Sequence, residues 1–174
     1  MHEIDKYIRS IPDFPEKGII FRDVTTVVND AEGLRLSIDE MTKLLDGLDV
    51  DVIAGIESRG FVFGMPIAYN MGKPFAMIRK KGKLPAETIS VEYELEYGSA
   101  SIEIHKDAIK PGQKVVLVDD LIATGGSFAA AAKLIEQLGG EVVKMIVLIE
   151  LKGLNGRANL AGYDVGSVIA YEGN

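Results

Sequence analysis

The sequence predicts an α/β fold, a parallel sheet flanked by helices, and three observations carry that expectation. Short apolar runs at Asp51–Ile56, Phe75–Ile78, Val115–Val118 and Val142–Ile149 have the length and β-branched content of strands covered on both faces. Helix-like segments separate them, and strands alternating with helices imply a parallel sheet. The run at Val115 ends in two acids and a glycine turn that opens the next helix. At 174 residues, one domain over residues 1–174 is the default, large enough to bury its own core.

In chain order, residues 1–10 read as a short amphipathic helix, stopped by the two prolines of IPDFP (Ile11–Pro15). Gly18–Val28 is a compact apolar segment carrying Phe21-Arg22-Asp23. From Leu34, apolar residues recur at Ile38, Met41, Leu44, Leu45 and Leu48, the 3.6-residue stripe of a packed helix. The strand Asp51–Ile56 leads into a helix over Gly60–Met71, and Phe75–Ile78 is the next strand. Thr88–His105 differs: Ile89, Val91, Tyr93 and Leu95 alternate with polar residues, as do Ala100, Ile102 and Ile104 after the break at Tyr97-Gly98. That pattern predicts a half-buried antiparallel hairpin standing off the main sheet, with Glu92, Glu94 and His105 facing solvent. A helix over Phe128–Leu138 closes at Gly139 and Gly140, Val142–Ile149 is the last core strand, and Val168–Tyr171 is a candidate edge.

Composition narrows the function. Hydrophobic content of 47% and charged content of 26% are those of an ordinary globular protein. The absence of Cys excludes disulfides, thiolate metal sites and cysteine nucleophiles. No apolar run approaches the ~18 residues needed to span a bilayer, and MHEIDKYIRS has no apolar core of a signal peptide. The expected compartment is the cytoplasm, with no membrane partner. A net charge of −7 argues against a nucleic-acid surface, which needs a basic face. Any anionic ligand must therefore meet a local basic cluster, and the dense one is Arg79, Lys80, Lys81 and Lys83.

The chemistry concentrates in VVLVDDLIATGGS, Val115–Ser127. Asp119 and Asp120 end an apolar strand that has no structural use for them. Carboxylates there can accept hydrogen bonds from vicinal hydroxyls. Ala123, Thr124, Gly125, Gly126 and Ser127 then lead into a helix whose first N–H groups, backed by the helix dipole, form an anion cradle. Acids and cradle together describe a ribose 5-phosphate. No G-x-G-x-x-G is present, and GIESRG at Gly55–Gly60 lacks the Lys-Ser/Thr of a P-loop.

Two further clusters fit a polyphosphate. Glu57-Ser58-Arg59-Gly60 follows the strand Asp51–Ile56, and in open α/β sheets ligands gather at the carboxyl ends of strands. Arg59 offers a forked donor to a pair of phosphate oxygens, or else an ion pair to Glu57. The basic run Arg79–Lys83 focuses positive potential in an otherwise acidic chain. His2 and His105 have no metal-spaced partner, and no metal site built from protein ligands alone is visible.

The acid pair and its loop resemble the phosphoribosyl pyrophosphate signature of the type I phosphoribosyltransferases. IPDFP, GIIFRD (Gly18–Asp23), AGIESRGFVFG from Ala54, IRKKGKLP from Ile78 and ELEYG from Glu94 extend the resemblance across essentially the whole chain, to the adenine branch of that family. The resemblance implies a type I phosphoribosyltransferase-like sheet with a small N-terminal hood over residues from about 1 to 30 and a β-hairpin flap over about 80–105. It implies a cytoplasmic homodimer that uses Mg²⁺, bound mainly through the substrate, to convert adenine and phosphoribosyl pyrophosphate into AMP and pyrophosphate. Residue by residue, it places Ile20, Phe21 and Arg22 over adenine with Leu151 on the other face. Asp119 and Asp120 fall on the ribose hydroxyls and Ala123–Ser127 on the 5′-phosphate. Ser58, Arg59, Lys80 and Lys83 fall on pyrophosphate, Lys83 across a dimer interface, and Glu96 on the flap acid that exchanges a proton with the purine. Ile20 stands where relatives commonly carry valine.

Two other readings share the motif. One is a xanthine or other 6-oxopurine phosphoribosyltransferase, which base-exchange assays separate. The other is a non-catalytic regulator sensing phosphoribosyl pyrophosphate, which would need a DNA-binding module and would be free to lose Glu96 and Lys83; both residues are present.

Overall fold

The computed structural model describes residues 2–94 and 98–173. A 3₁₀ turn, Glu3–Tyr7, precedes a small antiparallel pair, β1 (Arg9–Pro12) and β2 (Ile20–Asp23), and the short helix α1 (Thr25–Val28). Then come α2 (Ala31–Lys43), β3 (Val52–Ile56), α3 (Arg59–Met71), β4 (Phe75–Lys80), β5 (Thr88–Glu94), β6 (Ser99–His105), β7 (Lys114–Ile122), α4 (Gly126–Gln137), β8 (Glu141–Leu151) and β9 (Val165–Tyr171). The main sheet has seven strands in the order β5-β6-β4-β3-β7-β8-β9. From β4 to β9 along that order every pairing is parallel, whereas β6 pairs antiparallel with both β4 and β5.

Both faces of the sheet are covered, as its near-continuous apolar strands require. All five residues of β3 are buried. Val52, Ala54 and Ile56 point into one core with Val115, Leu117 and the α4 residues Phe128, Leu134 and Ile135. Ile53 points into the opposite core with Val116, Val118, Met41 of α2 and Phe63 of α3. Helix α2 starts where Asp30 accepts the N–H groups of Glu32 and Gly33, both at 2.9 Å. It stops at Lys43, before the apolar stripe ends, because i→i+3 bonds tighten the chain at Leu44 and Leu45 while Leu45 stays buried. No helix among the described residues is long and apolar enough to cross a membrane.

Four sequence expectations need correction. The N-terminal helix is one 3₁₀ turn followed by a strand: Ile4 and Ile8 are buried at helix-like spacing, but Ser10, Ile11 and Pro12 pair with β2 instead. The acid pair lies within a strand, not at its end, since β7 pairs with β8 as far as Ile122 opposite Glu150. The hairpin does not stand off the main sheet, because β6 pairs with β4 through Arg79↔Glu103 and Lys80↔Ile102. His105 is half-buried, its Nε2 accepting the Ala86 N–H at 3.3 Å.

Asp23 ties the small sheet to α1. Its carboxylate accepts from the Thr25 hydroxyl at 2.6 Å and N–H at 2.9 Å, and from Arg9 at 3.0 and 2.5 Å. The Thr25 hydroxyl first and Arg9 second hold its pKa at about 2, against an ordinary 3.8. A depressed carboxylate stabilises the fold above its unfolded pKa and loses that contribution as pH falls through its folded one. Asp23→Asn should therefore cost about 2 kcal/mol at pH 7 and distinctly less at pH 3. Urea unfolding at both pH values checks this, and an equal penalty at both would contradict it.

Candidate active site

The carboxyl ends of β3, β4, β7 and β8 lie along one edge of the sheet, so the loops following them share a crevice. A cavity of about 240 Å³ there is lined by Glu57, Ser58, Arg59, Lys80, Asp119 and Asp120. Residues from three separate sequence clusters thus meet in one place.

Asp120 is 5% exposed and bonded to the Arg59 guanidinium through Nε. Arg59 therefore pairs with the acid pair and not with Glu57, and the Asp120 charge raises its pKa further. Asp119 turns its Oδ1 back to the Asp120 N–H at 2.9 Å. Burial, then the neighbouring Asp120 charge, push the Asp119 carboxyl well above the usual carboxylate range. Helix α3 begins against this strand at Gly60, where a Cβ would stand 2.7 Å from the Val118 carbonyl and 3.2 Å from Asp119 Oδ1. Glycine allows that approach.

The loop Ala123–Ser127 turns at Gly125, with φ +80°, into α4. No side chain caps its first N–H groups. What the sequence hides is the support behind them. A Cβ at Gly125 would lie 2.6 Å from the Gly156 carbonyl, and one at Gly156 only 2.3 Å from the Ala123 carbonyl. Asn159 donates to the Thr124 carbonyl at 2.7 Å, and Arg157 locks the same segment to Glu150 with bonds of 2.6 and 2.7 Å. Tyr93 of the hairpin packs close to Gly126; burial first, and the Asp119 charge second, raise the pKa of its hydroxyl.

A second cavity, of about 390 Å³, is lined by Ile19, Ile20, Phe21, Arg22, Arg59, Asp120, Leu121, Leu151 and Leu154. All four residues expected around the base are present. Ile19, Leu121 and Leu154 were not anticipated, having no feature that separates them from core leucine or isoleucine. The Arg22 side chain is engaged elsewhere, stacked 3.7 Å above the Tyr171 ring and donating to Ser10 Oγ at 2.5 Å. Arg59 and Asp120 line both cavities and form their shared wall.

Lys80 ends β4 and lines the charged cavity, whereas Lys83 does not. Glu96 lies outside the described residues. A hollow of about 460 Å³ near β9 is lined by Glu150, Lys152, Arg157 and Ser167 among others, but Arg157 pairs with Glu150 and Lys152 with Glu172.

A family profile for the phosphoribosyl transferase domain matches residues 30–167. The adenine phosphoribosyltransferase of Agathobacter rectalis is 70% identical over 173 residues, covering 99% of each chain. The crystal structure of adenine phosphoribosyltransferase from Thermoanaerobacter pseudethanolicus superposes with a TM-score of 0.94 at 56% identity, over 97% of this chain and 98% of that one. The Saccharomyces cerevisiae adenine phosphoribosyltransferase, solved with an imino-altritol bisphosphate and adenine, gives a TM-score of 0.90 at 38% identity, over 96% and 97% of the two chains.

Proposed function

This chain belongs to the adenine phosphoribosyltransferases, pentosyltransferases of purine salvage, and from that premise we propose how its residues divide the work of converting adenine and phosphoribosyl pyrophosphate into AMP and pyrophosphate. The observation that carries the assignment is the Arg59–Asp120 pair, which joins an apolar cavity to a charged one. Adenine takes the apolar side, between the Ile20–Arg22 backbone and Leu151. The ribose hydroxyls face Asp119 and Asp120, and the 5′-phosphate takes the N–H groups of Ala123–Ser127. Pyrophosphate takes Ser58, Arg59, Lys80 and Lys83.

The transfer breaks the bond from the anomeric carbon to pyrophosphate and forms one to a purine nitrogen, which gives up its proton. Positive charge grows on the ribose ring and negative charge on the leaving group. Carboxylates at the ring and cations at the leaving group are preorganised for that separation. Arg59 exchanges Asp120 for a pyrophosphate oxygen as substrate enters, which frees the Asp120 carboxylate to face the sugar. Glu96 is assigned the purine proton.

Mg²⁺ suits the donors present. A hard octahedral cation that keeps waters and substrate phosphates needs at most one or two carboxylates nearby, and it would be held mainly through the substrate in the charged cavity where Asp119 and Asp120 lie. When bound, it neutralises charge on the leaving pyrophosphate. A homodimer belongs to the same reading: Val62, Met65 and Tyr69 lie on one face of α3 and are 43, 54 and 82% exposed, with Met77 of β4 at 47%. Such a face suits a self-complementary partner, and a single-chain mass in light scattering would remove it. The expected compartment remains the cytoplasm, and recovery in a membrane fraction would count against it.

Purified protein given adenine, phosphoribosyl pyrophosphate and Mg²⁺ should release AMP and pyrophosphate one for one, and chelation should stop it. Glu96→Gln keeps shape but cannot exchange a proton, so kcat should fall by about 10²- to 10⁴-fold with the donor KM little changed. A variant that raised only that KM would make Glu96 a binding residue and send the proton elsewhere.

A further inference from the structure

Glu103 of β6 is 4% exposed and lines neither cavity. Alternation between Ile102 and Ile104 would turn it to solvent, yet the loop after β4 folds over it. Its Oε1 accepts the N–H groups of Lys83 at 3.0 Å and Leu84 at 2.9 Å, and Oε2 faces the Thr88 hydroxyl at 3.4 Å. Burial raises its pKa, but the N–H donors of the loop outweigh burial and hold it below the usual value. A second carboxylate grips the start of the same segment: Glu57 accepts the Lys80 N–H at 2.9 Å and Arg79 Nε at 3.3 Å. Between them, the Lys81 N–H donates to the Ser101 carbonyl at 3.0 Å. The basic segment is stapled at both ends.

Coulomb's law makes this placement informative. A buried anion beneath a segment that binds a polyanion repels the ligand, the more so where water is scarce. Its compensating effect is geometric. Hydrogen bonds to a carboxylate are about twice as strong as neutral ones, and a loop held in its binding shape loses less freedom when ligand arrives.

We propose that Glu103 is a positioning residue for the transfer, pinning the backbone at Lys83 and Leu84 so that Lys80 and Lys83 are set for pyrophosphate before it binds. The inference rests on the assignment of those lysines to pyrophosphate. Titration of Mg²⁺-pyrophosphate onto the native protein, Glu103→Ala and Glu103→Gln, with KM values for both substrates, tests it. Glu103→Gln can keep an oxygen on the two N–H groups and turn its amide to the Thr88 hydroxyl, so it loses charge but not the staple. Glu103→Ala should weaken pyrophosphate binding and raise the donor KM about ten- to a hundredfold with the adenine KM near native, whereas Glu103→Gln, which keeps the staple and loses the repelling charge, should bind pyrophosphate as tightly as the native protein or more tightly. A role through charge alone has the opposite sign, since removing the anion would tighten pyrophosphate in both variants. Unchanged or tighter binding by Glu103→Ala overturns the proposal. So does an equal rise in both KM values with a lowered melting temperature, the mark of a merely structural acid. If Glu103→Ala does not fold, Glu103→Asp, which retains charge but withdraws the carboxylate by one methylene, should show the same selective loss. A native protein that failed to bind pyrophosphate would instead remove the lysine assignment itself.

Discussion

Adenine should be used on the order of 10⁴-fold more efficiently than hypoxanthine, the discrimination available to a site that hydrogen-bonds a group the analogue lacks. β2 pairs with β1 along one edge, with Phe21 opposite Ile11 and Arg22 opposite Ser10, and among the described residues no strand pairs with its other edge. Backbone N–H and C=O groups on an unpaired strand edge remain available to a ligand, and Ile20–Arg22 line the apolar cavity. Adenine offers an amino donor beside an unprotonated ring nitrogen, whereas hypoxanthine offers an oxygen acceptor beside a protonated one. A fixed pair of backbone groups matches only one of these. Because the Arg22 side chain is held by Tyr171 and Ser10, changing it should alter base choice less than disturbing the backbone of β2. Comparable kcat/KM for adenine and hypoxanthine, or a preference for xanthine, would contradict this assignment while leaving the transferase fold untouched.

Replacing both Asp119 and Asp120 with Asn should abolish most turnover and keep the fold. Each lost charge-assisted contact is worth about 1.5–3 kcal/mol, or roughly ten- to a hundredfold. The two residues adjoin, so their effects need not add. Stability should move differently from activity. The native state holds the Asp119 proton to higher pH than the unfolded chain does, so this group lowers stability as pH rises from the ordinary carboxylate range through its own raised pKa. Asp119→Asn removes that cost and should match or exceed the native melting temperature at pH 7 while losing activity. An Asp119→Asn, Asp120→Asn protein with full AMP synthesis would remove the ribose assignment.

The acid pair, the glycine turn and the basic run were legible because each departs from what its local element requires: charge on an apolar strand, glycine before a helix, cations in an acidic chain. Their supports were not legible, because they answer to distant neighbours. Gly156 is needed because the Ala123 carbonyl and the Ile122 side chain pass against it, and nothing in Leu154–Leu160 marks Asn159 as a partner of Thr124. Nothing in the alternation of β6 marks Glu103 as buried, since no local pattern reveals a loop folding over a strand. β7 outran its predicted end for the same reason: its neighbour β8 continues to Leu151 and keeps the acidic residues in register. The helical spacing of Ile4 and Ile8 was real, but the strand partner at Ile20–Asp23 captured Arg9–Pro12.

A crystal structure with AMP and Mg²⁺-pyrophosphate bound tests the division of the cleft most directly. It should show the purine between the Ile20–Arg22 backbone and Leu151, the ribose hydroxyls on Asp119 and Asp120, the 5′-phosphate on the N–H groups of Ala123–Ser127, and Arg59 turned from Asp120 to pyrophosphate. A purine bound outside the apolar cavity, or pyrophosphate bound with the Arg59–Asp120 pair intact, would contradict it.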